Sequence, residues 1–174
     1  MKQGATVVDL DGTLVKGNTL KMYLRAGADI SNFPLLCFFY LARKLRLINH
    51  EGMKYEALKV VGRKPELLEK FKRMVEKSFN SDVLSFLQER RDAGDRILLA
   101  TAAADFYIPA IWDGEFLASP WGGPDLRGEI KKTAVEAWLM ENNLKINYFL
   151  TDHPDDMPLV RFVEKNGGKV KWIK

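Results

Sequence analysis

The second half of the chain alternates between short apolar runs and amphipathic stretches, and this alternation limits the fold more than any other feature. Runs such as RILLA at residues 96–100 suit buried strands, whereas residues 81–94 show helical spacing after a Ser cap and end at a Gly. Strands that alternate with helices favour a parallel sheet covered on both faces. The predicted strands are 5–9, 96–101, 116–118, 148–151 and 169–173, and the helices between them are 81–94, about 130–141 and 155–165.

Between the first strand and residue 81 the chain shows helical signals only. Pro34 and Pro65 each stand where a helix begins, and Leu67, Leu68, Phe71, Met74 and Val75 form one apolar stripe after the second proline. We expect three or four helices and no strand in residues 18–80. The sequence therefore predicts a helical insertion within an α/β unit.

Cysteine, histidine and the amino terminus exclude several classes of protein. Cys37 is the one cysteine and cannot form an internal disulfide, and His50 and His153 are too far apart in sequence to suggest a zinc cluster. The N-terminal residues lack the pattern of a secretion signal, and the longest apolar run, residues 33–42, is too short to span a bilayer. A cytoplasmic protein is expected.

Positive charge is concentrated in the helical insertion. The chain carries 27 Lys or Arg against 23 Asp or Glu. Residues 14–80 hold fourteen of the basic and six of the acidic residues, so the remainder is net acidic. A basic segment attracts an anionic small molecule, an anionic membrane or nucleic acid. No nucleic-acid-binding motif accompanies the charge, so we expect no nucleic-acid partner.

Polar side chains follow three of the predicted strands. Asp9 and Asp11 follow the first strand, Thr101 the second, and Asp152 a later one, with Asp156 one helical turn further. Ligands of parallel sheets bind beyond the carboxyl ends of the strands, so these groups are expected to lie together. Several carboxylates at one place repel each other unless a hard cation neutralises them, and oxygen ligands indicate Mg²⁺.

At these positions the chain resembles the haloacid dehalogenase superfamily, in particular its phosphoserine-phosphatase-like members. The resemblance rests on VVDLDGTL at residues 7–14, Thr101 after ILLA, Lys131 in GEIK, and TDHPDDMPLV at residues 151–160, in the family's order. It implies an α/β fold with a Rossmann-like parallel sheet as catalytic core, residues 1–14 and 81–174. It also implies that residues 15–80 form an inserted all-helical cap.

The resemblance further implies a role for each site residue. Asp9 would attack phosphorus and form an aspartyl-phosphate, and Asp11 would act as general acid and base. Mg²⁺ would be held by Asp9, the backbone carbonyl of Asp11 and Asp152, with Asp156 in support. The substrate phosphate would be bound by Leu10, Asp11, Thr101, Ala102 and Lys131.

The expected function is Mg²⁺-dependent hydrolysis of a small phosphorylated metabolite. Two alternatives stay open: a phosphatase of lipid headgroup phosphates at the membrane surface, and a non-catalytic binding protein on the same fold. The sequence does not choose the phosphoester.

Several residues have a second interpretation. Lys132 adjoins Lys131, and either could be an exposed helix lysine. Asp155 directly precedes Asp156 and could be only an N-terminal helix charge, whereas the spacing favours Asp156. Thr101 could simply cap a helix. We assign His153 no role and expect it at the surface. Residues 112–128 are shorter than the equivalent region of phosphoserine-phosphatase-like proteins, which predicts an altered or more open substrate pocket.

The helix expected after Pro34 is apolar on two faces. Leu35, Phe38, Phe39, Ala42 and Leu45 make one stripe, while Leu36, Cys37, Tyr40 and Leu41 add a second. Burial within the cap or against the core is the favoured interpretation of the second face. A homodimer contact, an apolar substrate, or an anionic membrane attracted by Arg43, Lys44 and Arg46 are the others.

Overall fold

A single parallel sheet organises the molecule. The computed structural model describes residues 2–174. Its five strands are β1 (Gln3–Val8), β2 (Arg96–Ala104), β3 (Glu115–Ser119), β4 (Leu144–Thr151) and β5 (Lys169–Trp172). They lie in the order β3-β2-β1-β4-β5, and every neighbouring pair is parallel. The predicted α/β fold with a parallel sheet is confirmed.

Seven α-helices connect and cover the strands. Five precede β2 and two follow it: α1 (Thr19–Gly27), α2 (Phe33–Lys44), α3 (His50–Val61), α4 (Pro65–Glu76), α5 (Ser81–Asp92), α6 (Gly128–Glu141) and α7 (Met157–Lys165). Short 3₁₀ turns occupy Asp105–Ala110 and Pro154–Asp156. No helix within residues 2–174 has the length and apolar character needed to cross a membrane.

Alternate residues along the strands enter two separate apolar cores. Val7, Leu98 and Phe149 belong to the core that α6 and α7 complete, whereas Val8 and Leu99 belong to the core on the other face. Successive side chains of a strand point to opposite faces, which is why the central strands are apolar without interruption. Both faces of the sheet are thus buried.

The helical insertion shares the second of these cores with the sheet. Its two connections to the sheet region run side by side, because the Lys16 N–H donates to the carbonyl of Ser78 and the Asn80 N–H donates to that of Leu14. Four helices and no regular strand lie between these connections, as expected for residues 18–80. The assignment of residues 15–80 as a cap stays a prediction.

Several predicted boundaries differ from the observed ones. β2 does not end at Thr101 but continues to Ala104, with a register irregularity between them. β4 begins at Leu144, four residues earlier than predicted, because polar Lys145 and Asn147 conceal the buried alternation of Leu144 and Ile146. α7 begins at Met157, since residues 154–156 form a 3₁₀ turn.

The favoured interpretation of the second face of α2 is wrong. Ala42 is the one residue of this helix that is buried, and Leu36 and Phe39 are partly covered. The other members of the second stripe are exposed, Tyr40 at 63%, Leu41 at 53% and Cys37. The described chain therefore does not cover this helix on its outer side.

Candidate active site

The carboxyl ends of β1, β2 and β4 border a cleft of about 580 Å³. Because the strands are parallel, their carboxyl ends all lie on the same side of the sheet. Polar residues that are distant in sequence therefore meet here. The cleft is lined by Asp9, Asp11, Gly12, Gly17, Asn18, Lys21, Thr101, Ala102, Arg127, Lys131, Asp152, His153, Asp155 and Asp156. Except for Leu10, every residue expected from the sequence to take part in the site lines it.

A buried ammonium group lies between two carboxylates at the floor of the cleft. The Nζ atom of Lys131 is 2.8 Å from Oδ1 of Asp9 and 2.7 Å from Oδ1 of Asp156. The hydroxyl of Thr151, the last residue of β4, donates to Oδ2 of Asp156 at 2.6 Å. These contacts connect β1, α6 and β4 and fix the direction of the Asp9 carboxylate.

Burial and charge perturb both groups of the Asp9–Lys131 pair. Burial raises the pKa of Asp9 to about 6, while Lys131 opposes the rise and Asp156 adds to it. Burial alone would lower the pKa of Lys131, but the charges of Asp9 and Asp156 outweigh it and hold that pKa above its usual value. Lys131 is thus positively charged at neutral pH, where it attracts anions.

Asp11 is held by the start of α1. The backbone N–H of Thr19 donates to Oδ1 of Asp11 at 2.7 Å, and the Asn18 amide donates to Oδ2 at 3.3 Å. Burial raises the pKa of Asp11, and the hydrogen bonds from Thr19 counteract part of that rise. A carboxyl group with a raised pKa, held at the wall of a cleft, is suited to proton transfer.

Gly12 permits the close approach of Asp152 to the loop after β1. Its φ is +80°, and a Cβ atom there would lie 2.0 Å from Oδ2 of Asp152. The Thr13 hydroxyl donates to Oδ1 of Asp152 at 3.2 Å. Gly12 and Thr13 therefore bring the carboxylate of Asp152, which follows β4, to the loop after β1.

Thr101 and Ala102 form the wall contributed by β2. The Ala103 N–H donates to the Thr101 hydroxyl oxygen at 3.0 Å, which leaves the hydroxyl hydrogen available to a ligand. Because Thr101 lies within β2, the interpretation of this residue as a helix cap is wrong.

Lys54 is a component of the site that sequence reasoning missed. This residue of α3 is buried, forms a salt bridge with the equally buried Asp125, and donates to the carbonyl of Ala102 at 2.8 Å. The hydroxyl of Ser119 donates to the same carbonyl at 2.9 Å. Lys54 stands four residues before Leu58 and seven before Val61, so helical spacing places it on the apolar stripe of α3. A lysine on such a stripe is the sequence signal that could have revealed it.

A second cleft of about 370 Å³ adjoins this contact. Tyr55 and Trp121 are among its lining residues. The ring of Trp121 lies 5.5 Å from that of Tyr55 and 5.0 Å from that of Phe106, measured between centroids. The guanidinium of Arg63 stacks on Trp121 at 3.9 Å. The short loop after β3 is thus packed against the helical insertion.

The remaining expected residues are placed as follows. The Leu10 side chain is buried in the core, so only its backbone can reach a ligand. Lys132 pairs with Glu136 at the surface, unlike Lys131. Asp155 is exposed and 3.7 Å from Arg127, whereas Asp156 contacts Lys131. His153 is exposed at the rim, where its Nδ1 accepts from the Asp155 N–H.

The donor chemistry of the cleft fits a divalent cation with hard oxygen ligands. Five carboxylates line it against three cationic side chains, which leaves an excess of negative charge. Across residues 2–174, no three His, Cys, Asp or Glu side chains form a metal site by themselves. Asp9 and Asp152 would therefore need a backbone carbonyl, as expected of Asp11, and water to complete an octahedral shell.

Comparisons with known proteins bear on the family and the fold of this chain. A family model described as haloacid dehalogenase-like hydrolase matches residues 6–161. No match was found among curated proteins.

Solved structures are similar in fold at low identity. A Bordetella pertussis Tohama I protein of unknown function is 17% identical, with a TM-score of 0.74 over 100% of both chains. A probable phosphoserine phosphatase from Vibrio cholerae is 8% identical, with a TM-score of 0.74 over 98% of this chain and 61% of that one. A substrate-bound phosphoserine phosphatase is 13% identical, with a TM-score of 0.61 over 92% and 82%.

Proposed function

This chain belongs to the haloacid dehalogenase-like hydrolases, and we propose that it is a Mg²⁺-dependent phosphatase that hydrolyses a small phosphorylated metabolite through an aspartyl-phosphate. The observation that carries the proposal is the Asp9–Lys131–Asp156 contact at the floor of the cleft, with Asp11 held beside it. A carboxylate nucleophile, a fixed cation and a carboxyl with a raised pKa are the groups that phosphoryl transfer requires.

The two aspartates divide the chemistry between them. An oxygen of Asp9 attacks phosphorus, the bond from phosphorus to the ester oxygen breaks, and Asp11 gives its proton to the departing alkoxide. Asp11 then accepts a proton from water as that water attacks the aspartyl-phosphate, which releases inorganic phosphate and restores the Asp9 carboxylate.

The chain's other groups bind the phosphate and orient it. Lys131 and the Thr101 hydroxyl would contact phosphate oxygens, together with backbone N–H groups of Leu10, Asp11 and Ala102. Asp9, the Asp11 carbonyl and Asp152 would hold Mg²⁺, with Asp156 positioning Lys131. When bound, the cation would offset the negative charge of phosphate and carboxylate.

The second cleft would take the part of the substrate beyond the phosphate. Its charged and aromatic lining and its modest volume favour a small, polar leaving group. The exposed apolar side chains of α2 favour a lipid headgroup phosphate as the second candidate. Turnover of a panel containing phosphorylated metabolites and lipid phosphates in mixed micelles distinguishes the two.

The test of the function is the nucleophile itself. Asp9→Asn keeps the shape of the side chain but removes the attacking charge, so turnover of an aryl phosphate should fall at least about a thousandfold with the protein still folded. Asp155→Asn, an exposed neighbour in the same cleft, is the matched control and should retain activity. Substantial turnover by Asp9→Asn, or none by the unaltered protein with Mg²⁺, contradicts the proposal.

Asp11→Asn tests the proton-transfer step separately. Loss of acid–base assistance should lower turnover by roughly 10² to 10⁴. Intact-mass spectrometry of the quenched variant should detect a phosphoryl adduct if Asp9 attacks phosphorus before Asp11 is needed for hydrolysis. Unchanged turnover in Asp11→Asn would remove this residue from the mechanism.

A further inference from the structure

The outward side of α2 is an apolar surface without a partner in the described chain. Helical spacing places Pro34, Phe38, Leu41 and Leu45 on one stripe, and all four are exposed. We call these four residues the outer face of α2. Ile30 before the helix and Leu47 after it are also exposed, at 98% and 72%.

The opposite side of the helix accounts for its attachment to the protein. Leu36, Phe39 and Ala42 are the covered residues, and α3 is the neighbour of this helix. Their spacing of three residues keeps them on one side of the helix. The outer face is therefore directed away from the protein as a consequence of that packing.

Charge indicates what covers the outer face. Residues 29–50 contain one acidic residue, exposed Asp29, against three exposed basic residues at the end of the helix, Arg43, Lys44 and Arg46. An apolar helix face beside exposed basic side chains is the pattern by which helices lie in the interface of an anionic membrane.

A second copy of the chain suits the outer face less well than a membrane does. In a two-fold dimer the same surface would meet itself, so the three basic residues Arg43, Lys44 and Arg46 of each copy would meet a single carboxylate from residues 29–50, that of exposed Asp29. The face is also the outside of a helix, whereas small ligands bind in concave sites. Acidic lipid headgroups provide both the negative charge and the apolar layer.

We propose that the outer face of α2 inserts into the interfacial layer of an anionic lipid membrane, while Arg43, Lys44 and Arg46 bind the acidic headgroups. The proposal concerns binding alone and does not depend on the phosphatase activity.

Flotation of the full-length protein with vesicles tests the proposal. Vesicles of equal parts phosphatidylcholine and phosphatidylglycerol should carry the protein upward at low ionic strength, and vesicles of phosphatidylcholine alone should not. Two variants should each lower partitioning to the anionic vesicles at least about tenfold. One combines Phe38→Ser with Leu41→Ser, and the other changes Arg43, Lys44 and Arg46 to Gln.

Matched controls show whether binding depends on this surface or on exposed apolar area and positive charge anywhere on the protein. Met140→Ser with Leu84→Ser removes two exposed apolar side chains elsewhere, and Lys70, Lys72 and Lys77 to Gln removes three exposed charges from or beside α4. Both controls should float like the unaltered protein. If a control lowers partitioning to the vesicles as much as the α2 variant that it is matched to, the proposal is overturned.

Two further outcomes also overturn it. A protein that stays at the bottom of the gradient with anionic vesicles at low ionic strength does not dock by this face. The second outcome is a protein that does not float but forms a dimer in light scattering. If the double variant Phe38→Ser with Leu41→Ser dissociates that dimer, the face is an interface between copies of the chain. Neither outcome bears on the assay of Asp9.

Discussion

Lys54 illustrates how much can depend on one buried side chain. It pairs with buried Asp125 and donates to the Ala102 carbonyl beside Thr101, so it joins α3 to the wall of the cleft. Lys54→Met leaves the Asp125 carboxylate buried without its main partner, and the free energy of unfolding should fall by roughly 3 to 5 kcal/mol. Urea denaturation measures this loss.

A double variant separates the lost pair from lost volume. Lys54→Met with Asp125→Leu removes both charges, so most of the stability should return. Lys59→Met, an exposed lysine of the same helix, is the matched control and should change stability by less than about 0.5 kcal/mol. Equal stability of Lys54→Met and the unaltered protein would show that the ion pair does not stabilise the fold.

At the scale of elements, an aromatic cluster joins the helical insertion to the core. Phe71 of α4 lies 5.2 Å from Tyr23 of α1 and 5.1 Å from Tyr107, in the 3₁₀ turn after β2, between ring centroids. Phe71 is fully buried. Phe71→Ala should destabilise the protein by about 3 to 5 kcal/mol, because it leaves a cavity where three elements meet.

The exposed phenylalanine of α2 provides the comparison for that change. Phe38→Ala, at a side chain 59% exposed, should alter the free energy of unfolding by less than about 0.5 kcal/mol. Guanidinium denaturation of both variants measures the difference. A large loss in Phe38→Ala would mean that α2 is covered in solution by something the isolated chain does not supply.

At the scale of the whole molecule, the excess of carboxylates in the cleft couples cation binding to stability. A cation that binds only the folded chain stabilises it by about 2.7 kcal/mol at a hundredfold excess over its Kd. For a chain of this length that corresponds to a rise in Tm of about 5 to 10 °C. Scanning calorimetry with Mg²⁺ and with EDTA measures the shift.

The variants Asp152→Ala and Asp155→Ala show whether the shift comes from the proposed site. Asp152→Ala removes one of the two carboxylates proposed to bind Mg²⁺, so the shift should largely disappear. Asp155→Ala removes a charge of the same cleft that is not a proposed ligand, and it should keep the shift. An equal Mg²⁺ shift in both variants would place the cation elsewhere.

The sequence determined the parallel sheet and the meeting of Asp9, Asp11, Thr101, Asp152 and Asp156 at one cleft. Alternation of apolar runs with amphipathic helices identifies the fold class locally, and a parallel sheet then brings its carboxyl ends together whatever the loops do. Strand ends were less predictable, because the pairing that extends β2 to Ala104 depends on a neighbouring strand.

The tertiary structure alone decided which of two adjacent residues enters the cleft and which helix face stays uncovered. Lys131 and Lys132, like Asp155 and Asp156, differ by one position, and only the orientation of their elements buries Lys131 and Asp156. Lys54 meets Ala102 across 48 residues of chain. Long-range contacts of this kind have no local signature. For the same reason the sequence did not show that the covered side of α2, Leu36, Phe39 and Ala42, takes residues from both predicted stripes.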